Sequence, residues 1–470
     1  MSNTTSAPRK WCSPERTITA CEESQRRFAD ADQQQVDRVC AAMVDAALAH
    51  AARLGDLAHT ETGYGNAAHK TLKNQFAARN VWDSIKNVST VGVIAQDAAG
   101  TMAGIATPVG LIAAILPSTN PTSTVIYKAL IAIKARNGII FSPHPRAEHC
   151  SRETVRILAA AGEAAGMPRD LIGCLPQASV TATQSLMEHP AISLVLATGG
   201  AGRVKAALTS GKPAITGGPG NVPAYVDRSA DVAAAARAIV DSKAFDCSVI
   251  CSTEQAVVAD RVIAGPLRQR MQDYGAHWLN ASECVMFASR LFRPDGSPDP
   301  DLVGKTPQQL ASLIGTHVPA SARVLIADLD AIGPDEPLSR EKLTTVLGFY
   351  TVDDVAAAAV RCTELLRFGG LGHSMAIHAN DPTMIDWLVK QVPTFRILIN
   401  TPASLGAIGA TTNLTPALTL APGCIGGAIT SDNITATHLL NTKRVARATR
   451  SPLPTAFNDR TVHQLAAAHA

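Results

Sequence analysis

An α/β fold of two strand-and-helix domains with a small β flap is what this 470-residue sequence predicts, and three patterns carry the expectation. Apolar residues recur at helical spacing through residues 13–78, two β-branched runs flank a tight turn within 87–106, and from residue 109 short apolar strands alternate with amphipathic helices. Alternation with short connections favours parallel strands joined by right-handed crossovers.

In the first segment Val39, Ala42, Val44, Ala47, Leu48 and Ala51 mark an apolar helical face, which makes 13–78 a helical layer that packs on later elements. At 87–106 an Asp-Ala-Ala-Gly turn joins two runs into a hairpin, suited to an oligomerisation flap. Beyond it come LIAAIL (111–116), a helix over about 123–136, GIIFS (138–142), a helix over about 152–165 and ISLVLAT (192–198), which opens onto a glycine turn. Residues 1–228 therefore read as a Rossmann-type nucleotide-binding domain carrying the flap. A second alternation has a helix over 230–242, a strand at 255–260, a helix after Arg261 and strands at 323–328 and 396–400, giving an α/β catalytic domain over 229–428. Residues 429–470 return to the flap and end in a loosely held tail after Arg447. Proline and glycine crowd at 293–304 and 402–427, marking surface loops or ligand-facing turns.

Composition narrows the function classes. Hydrophobic residues make up 46% and charged residues 17%, which excludes a disordered chain and supplies a large core. Forty-two Lys+Arg against 39 Asp+Glu leave a net charge of +3 with no basic run, so long-range electrostatics points to neither nucleic acid nor a membrane surface. The apolar stretch at 110–116 is far shorter than the roughly 20 residues that cross a bilayer. The N-terminus has no apolar core or cleavage site of a secretory signal, so a cytoplasmic protein is expected. Ten cysteines without a CxxC pair are expected to be reduced and mostly buried, and no zinc-type spacing points to a metal.

Three segments hold candidate chemistry. KAFDCSVICSTEQ (243–255) places Cys251 among small residues just before a β-rich run, as a nucleophilic thiol or a buried structural cysteine, with Cys247 four residues away as a redox or metal partner. ILPSTNPTST (115–124) sets Asn120 between a strand and a helix, where its amide donates to an oxyanion or merely forms a turn. ATGGAGR (197–203) lacks the full GxGxxG fingerprint but offers bare N–H groups to a phosphate, or a plain tight turn.

Together with ETGYG, FSPHPRA, GGPGNVPAYVD, LSREKLTTVLGFY, GGLGH, RILINTPASLGAIG and HLLNTKRVA, these segments resemble the CoA-acylating branch of the aldehyde dehydrogenase superfamily, over about 61–445. The resemblance implies an enzyme in which the Cys251 thiolate adds to an aldehyde, Asn120 and the Cys251 N–H hold the oxyanion, hydride passes to NAD or NADP, and a thioester remains. Where hydrolytic members carry a water-activating glutamate, residues 205–226 contain no carboxylate, so CoA rather than water is the expected acceptor. It further implies that Glu341 touches the nicotinamide ribose, that Thr198, Gly199 and Gly202 and the segment Ser142, Pro143, His144 and Arg146 hold the cofactor, and that His373 assists the CoA thiol. With no acid after GIIFS, NADP is permitted alongside NAD. Cys247 stands where related acylating enzymes commonly carry Asn. The resemblance also implies a homodimer or homotetramer acting on small-molecule aldehyde, CoA and nicotinamide nucleotide. Sulfoacetaldehyde is the first substrate expectation, ahead of acetaldehyde, propionaldehyde and butyraldehyde. A CoA-independent hydrolytic enzyme and a structural protein on the same fold are the rival readings.

Overall fold

The computed structural model describes residues 13–450. The N-terminal stretch read as lacking a secretion signal and most of the expected tail lie outside the described residues. Helices Pro14–Phe28, Gln33–Ala49, Ala51–Thr62 and Ala67–Ile85 form the helical layer. Asp32 and Asn66 cap the second and fourth by accepting from Gln35 N and His69 N, and Gly63 stops the third at φ 68°. Among the described residues no helix is long and apolar enough to cross a membrane.

Strands β1 (Val93–Gln96) and β2 (Met102–Pro108) form the hairpin, and β15 (Leu440–Ala446) pairs antiparallel with β2 to complete a three-stranded flap. The first large sheet holds β3 (Leu111–Ile115), β4 (Gly138–Ser142), β5 (Ile172–Cys174), β6 (Ile192–Thr198) and β7 (Ala214–Gly217) in the order β5-β4-β3-β6-β7, all parallel. β3 and β4 are buried along their whole length, because helices cover both faces, and this accounts for their unbroken apolar runs. The chain reverses direction across the sheet between β3 and β6, and the carboxyl ends of strands at such a switch open a ligand crevice. Helix Pro121–Lys134 follows β3 with Pro121 at its first turn, and it is buried throughout. From this helix Lys128 donates to Ile115 O (2.8 Å) and Leu196 O (2.9 Å), clamping β3 to β6 beside the switch.

The second sheet orders β10 (Ala276–Trp278), β11 (Val324–Asp328), β12 (Val346–Val352), β9 (Glu254–Asp260), β8 (Val222–Val226), β13 (Met375–His378) and β14 (Ile397–Ile399), again all parallel. A division at 228 would assign β8 to the first domain, yet β8 lies between β9 and β13. VPAYV is a short apolar run, and its pattern shows that it is buried but not which sheet buries it. The crossover between sheets thus falls at 218–221, inside the ligand-facing segment.

Arg136 ties three layers together. It ends helix Pro121–Lys134 in a left-handed conformation (φ 61°), and its guanidinium donates to Ala29 O, Thr90 O and Ala106 O, which belong to the helical layer, the approach to the flap and β2. Arg136→Ala keeps a Cβ in the left-handed backbone, so it relieves no strain, and it leaves these carbonyls unpaired. A net loss of about 2–4 kcal/mol is expected in urea unfolding, read as a lowered midpoint with an unchanged slope.

Candidate active site

A cavity of about 790 Å³ runs from the carboxyl ends of β3, β4 and β6 to Cys251, between the two large sheets. Helix Val232–Ala244 leads toward Cys251 and then breaks: Asp246, Cys247 and Ser248 take φ of 47°, 51° and 68° in succession. Left-handed backbone costs a side-chain-bearing residue roughly 1–2 kcal/mol, so something must hold this turn. The anchor is Asp246, which is fully buried. It pairs with Lys73 and, at 3.3 Å, with Lys70, both from helix Ala67–Ile85, and accepts from Asn66 N at 2.7 Å. Its own N–H donates to His69 Nδ1 (2.9 Å). Gly65 makes room for it, since a Cβ there would lie 2.0 Å from Asp246 Oδ1. Burial pushes the Asp246 carboxyl up, but Lys73 and Lys70 outweigh it and hold the group below its ordinary value. Burial brings Lys73 down to about 8 against the pull of Asp246.

The same two lysines set Asn120. Lys73 donates to Asn120 Oδ1 and Lys70 to Thr119 O at 3.1 Å. With its oxygen so held, the amide turns its nitrogen the other way, donating to Val249 O (3.0 Å) and Thr119 Oγ1 (3.1 Å). Asn120 and the turn carrying Cys251 are thereby joined across a span of 129 residues, and both line the cavity.

Cys251 is a thiol at rest. Burial and then the charge of Glu341 push it up to about 12, against Arg396 and the backbone N–H groups of residues 251 and 252. Glu341 lines the cavity, accepts from Gly220 N at 3.0 Å, and is itself raised to about 7 by burial. Arg396 is 3% exposed and spends its donors on Asn433 Oδ1 and the carbonyls of His373, Ala421 and Ser431. It is a fixed positive charge behind the nucleophile.

The remaining expected residues divide. Ser142, Pro143, His144, Thr198, Gly199 and Gly202 line the cavity. A Cβ on Gly200 or Gly202 would meet nothing within 4 Å, and neither has a positive φ, so the protein's own packing does not require these glycines. They keep this turn of the cavity wall bare of side chains. Arg146 stands outside the cavity wall, paired with Asp301 at 2.8 Å on the surface. His373 is not on the wall either. It is fully buried, bonded through Nδ1 to Ser374 Oγ (3.1 Å), with Nε2 unpartnered, and burial together with Arg396 lowers it to about 3. A Cβ on Gly220 would come 2.4 Å from Cys251 O and 3.0 Å from His373 Nδ1, so the backbone of Gly220 fills the space between. A ring so buried and so hard to protonate is a poor base for an incoming thiol. Lys70, Lys73, Asp246 and Arg396 are functional neighbours that no sequence motif above singles out. Their legible signal is two lysines one helical turn apart and an acid five residues before the cysteine.

Removing Asp246 strands two ammonium groups in the interior. Asp246→Ala is expected to destabilise by about 3–5 kcal/mol near pH 7, by chemical denaturation. Lys73 titrates lower folded (about 8) than unfolded (10.5), so the unfolded chain binds more protons between those values and this group's contribution to stability rises with pH across that window. Without the pull of Asp246, Lys73 discharges below pH 8 in the variant, so the deficit is expected to shrink as pH rises toward 8 and to level off above it.

The aldehyde dehydrogenase family model matches residues 13–278. The bifunctional aldehyde-alcohol dehydrogenase of Escherichia coli (strain K12) is 39% identical over 92% of this chain, which spans about half (49%) of that relative's length. The succinate-semialdehyde dehydrogenase (acetylating) of Clostridium kluyveri is 33% identical over 91% of this chain and 94% of its own. The crystal structure of an acetylating aldehyde dehydrogenase from Geobacillus thermoglucosidasius superposes with a TM-score of 0.92 at 44% identity, covering 94% of this chain and 97% of that one. With its bare glycine turn, its cavity-facing cysteine and these relatives along most of its length, the chain belongs to the aldehyde dehydrogenase family, in the CoA-acylating branch.

Proposed function

We propose that this chain oxidises an uncharged short-chain aldehyde to its acyl-CoA, using NAD or NADP as hydride acceptor and Cys251 as nucleophile. The observation that carries the reading is Cys251 on the cavity wall beside an Asn120 amide whose orientation is fixed from behind, in a site where 205–226 supply no carboxylate. Cys251 gives up its thiol proton to water, and its Sγ adds to the carbonyl carbon as the C=O π pair moves onto oxygen. The developing oxyanion is met by Asn120 Nδ2, whose bond to Thr119 Oγ1 is the one free to yield, and by the Cys251 N–H. Residues 198–202, Ser142, Pro143 and His144 would hold the nicotinamide nucleotide, with Glu341 turned toward its ribose, and the ring accepts hydride when bound. The thioester left on Cys251 then passes to the CoA thiolate, since exchange between thioesters is nearly balanced and no general base sits where hydrolytic members keep theirs.

The wall argues for an uncharged aldehyde over sulfoacetaldehyde. Val249, Ile250, Ile408, Leu418 and Leu420 line the cavity with Cys251, and Arg396, the cation nearest in effect, has its donors committed to the protein. A sulfonate would need a free donor beside these apolar residues, whereas the wall's arginines, Arg203 and Arg293, come from the first helical turn after β6 and the 293–304 loop. The exposed outer strand β15 of the flap supports the expectation of a homodimer or homotetramer, which sedimentation tests directly.

The reading is tested by NAD(P)H formation with acetaldehyde, propionaldehyde, butyraldehyde and sulfoacetaldehyde, each with and without CoA. CoA-dependent turnover, fastest with an uncharged aldehyde, is expected; equal turnover without CoA would establish the hydrolytic alternative. Cys251→Ala is expected to lose roughly four orders of magnitude or more in kcat, and Asn120→Ala about two to three orders. Because the Cys251 thiol titrates near 12, its alkylation by iodoacetamide, located by peptide mass spectrometry, should rise about tenfold per pH unit from pH 7 to 9 without a plateau.

A further inference from the structure

Two arginines of this cavity wall, Arg203 and the exposed Arg293, are left out by the expected cofactor contacts, and Arg203 is the half-buried one. It lies in the first turn of helix Ala201–Leu208 and lines the cavity with Ser142, His144 and Thr183. A Cβ on Gly199 would meet its Cδ at 3.2 Å, so the stem folds back over the bare turn. The guanidinium is half-buried and makes no hydrogen bond or ion pair among the described residues. Of the two carboxylates on the cavity wall, Glu341 is engaged with Gly220 N and Asp295 with Ser297 N and Oγ. Burial alone perturbs Arg203, with no acid named beside it, and its charge helps hold His144 down, to about 4. A cation that is partly desolvated yet unpaired is costly unless a ligand completes it.

Its place in the fold indicates which ligand group. In a doubly wound sheet the carboxyl end of the strand beside the first one meets the adenosine ribose, through an acid where the ribose is unphosphorylated and through an arginine where it carries phosphate. Here that strand is β4, and its end reads Ser142-Pro143-His144-Pro145 with no acid. Ser142 Oγ bonds Thr183 Oγ1 at 2.7 Å, which closes this end of the cavity against helix Val180–Glu188. Arg146, the arginine among the expected cofactor contacts, is paired with Asp301 outside the wall.

We propose that Arg203 is a specificity-determining residue that binds the phosphate on an adenosine ribose, the 2′-phosphate of NADP or the 3′-phosphate of CoA. This rests on the nicotinamide- and CoA-dependent function proposed above. It predicts that ribose-phosphorylated ligands bind more tightly than their unphosphorylated counterparts, and that Arg203 supplies the difference.

The test is calorimetric titration of the full chain and of Arg203→Met and Arg203→Lys with NAD+, NADP+, CoA and dephospho-CoA. Methionine keeps the stem over Gly199 and removes the charge. Arg203→Met is expected to weaken NADP+, CoA or both by roughly 10- to 100-fold, the range of a charge-assisted hydrogen bond, with NAD+ and dephospho-CoA within about twofold. Arg203→Lys is expected to recover part of the loss. A loss confined to NADP+ assigns the 2′-phosphate, and one confined to CoA the 3′-phosphate. Equal losses for phosphorylated and unphosphorylated ligands, or none, would overturn the inference while leaving the proposed function standing. Failure of the unaltered chain to bind any of the four would overturn both.

Discussion

The site depends on one buried ionic cluster. Asp246 is fully enclosed, and Lys70 and Lys73, both 2% exposed, close on it from a helix more than 170 residues away in sequence. Three buried charges are not an efficient way to stabilise a fold, because desolvation consumes most of the Coulombic gain. What the cluster provides is position. Through Asp246 it pins the left-handed turn ahead of Cys251, and through Lys73 it fixes which end of the Asn120 amide faces that turn. Cys251 and Asn120 come from opposite sheets and are registered by the same two ammonium groups. That arrangement is the preorganisation on which electrostatic catalysis draws.

Around this frame the charges are unevenly committed. Arg396 is fixed behind Cys251 with its donors satisfied, so it acts on the thiol by field alone. Glu341 opposes it from the cavity side and acts with burial, and together they leave a protonated thiol. A nucleophile of this kind is quiet until substrate and cofactor change its surroundings. Once it has reacted, the lack of any carboxylate over 205–226 governs the choice of acceptor. A thioester formed here would have no carboxylate from residues 205–226 to recruit water, which favours a thiol.

Much of this was legible in the sequence. β6 matches ISLVLAT residue for residue, and LIAAI, GIIFS and the hairpin at 87–106 reappear as β3, β4 and the β1–β2 pair, because continuous apolar runs and turn residues report local structure directly. The sheet membership of β8 was not legible, since parallel partners are chosen by packing far along the chain. Cys251 and Asn120 were singled out from their segments, and the structure brings them to one wall. Lys70 and Lys73 escaped notice because lysines on a helix ordinarily signal a solvated face, and only tertiary structure shows that theirs is buried. Arg146 and His373 show the opposite failure: both lie near the site in sequence motif, but one is spent on a surface ion pair and the other sits behind Gly220. A motif identifies a neighbourhood, while the wall of a cavity is decided by which side chains have no other partner.

The measurement that tests the central claim most directly is capture of the acyl-enzyme. The protein is mixed with propionaldehyde and NAD+ or NADP+ in the absence of CoA, quenched in acid and digested for mass spectrometry. The account predicts a burst of about one equivalent of reduced cofactor per site, a propionyl group on the peptide containing Cys251, and its discharge as propionyl-CoA when CoA is added before the quench. Steady production of free propionate with no acyl group on Cys251, or an acyl group on another cysteine, would contradict it.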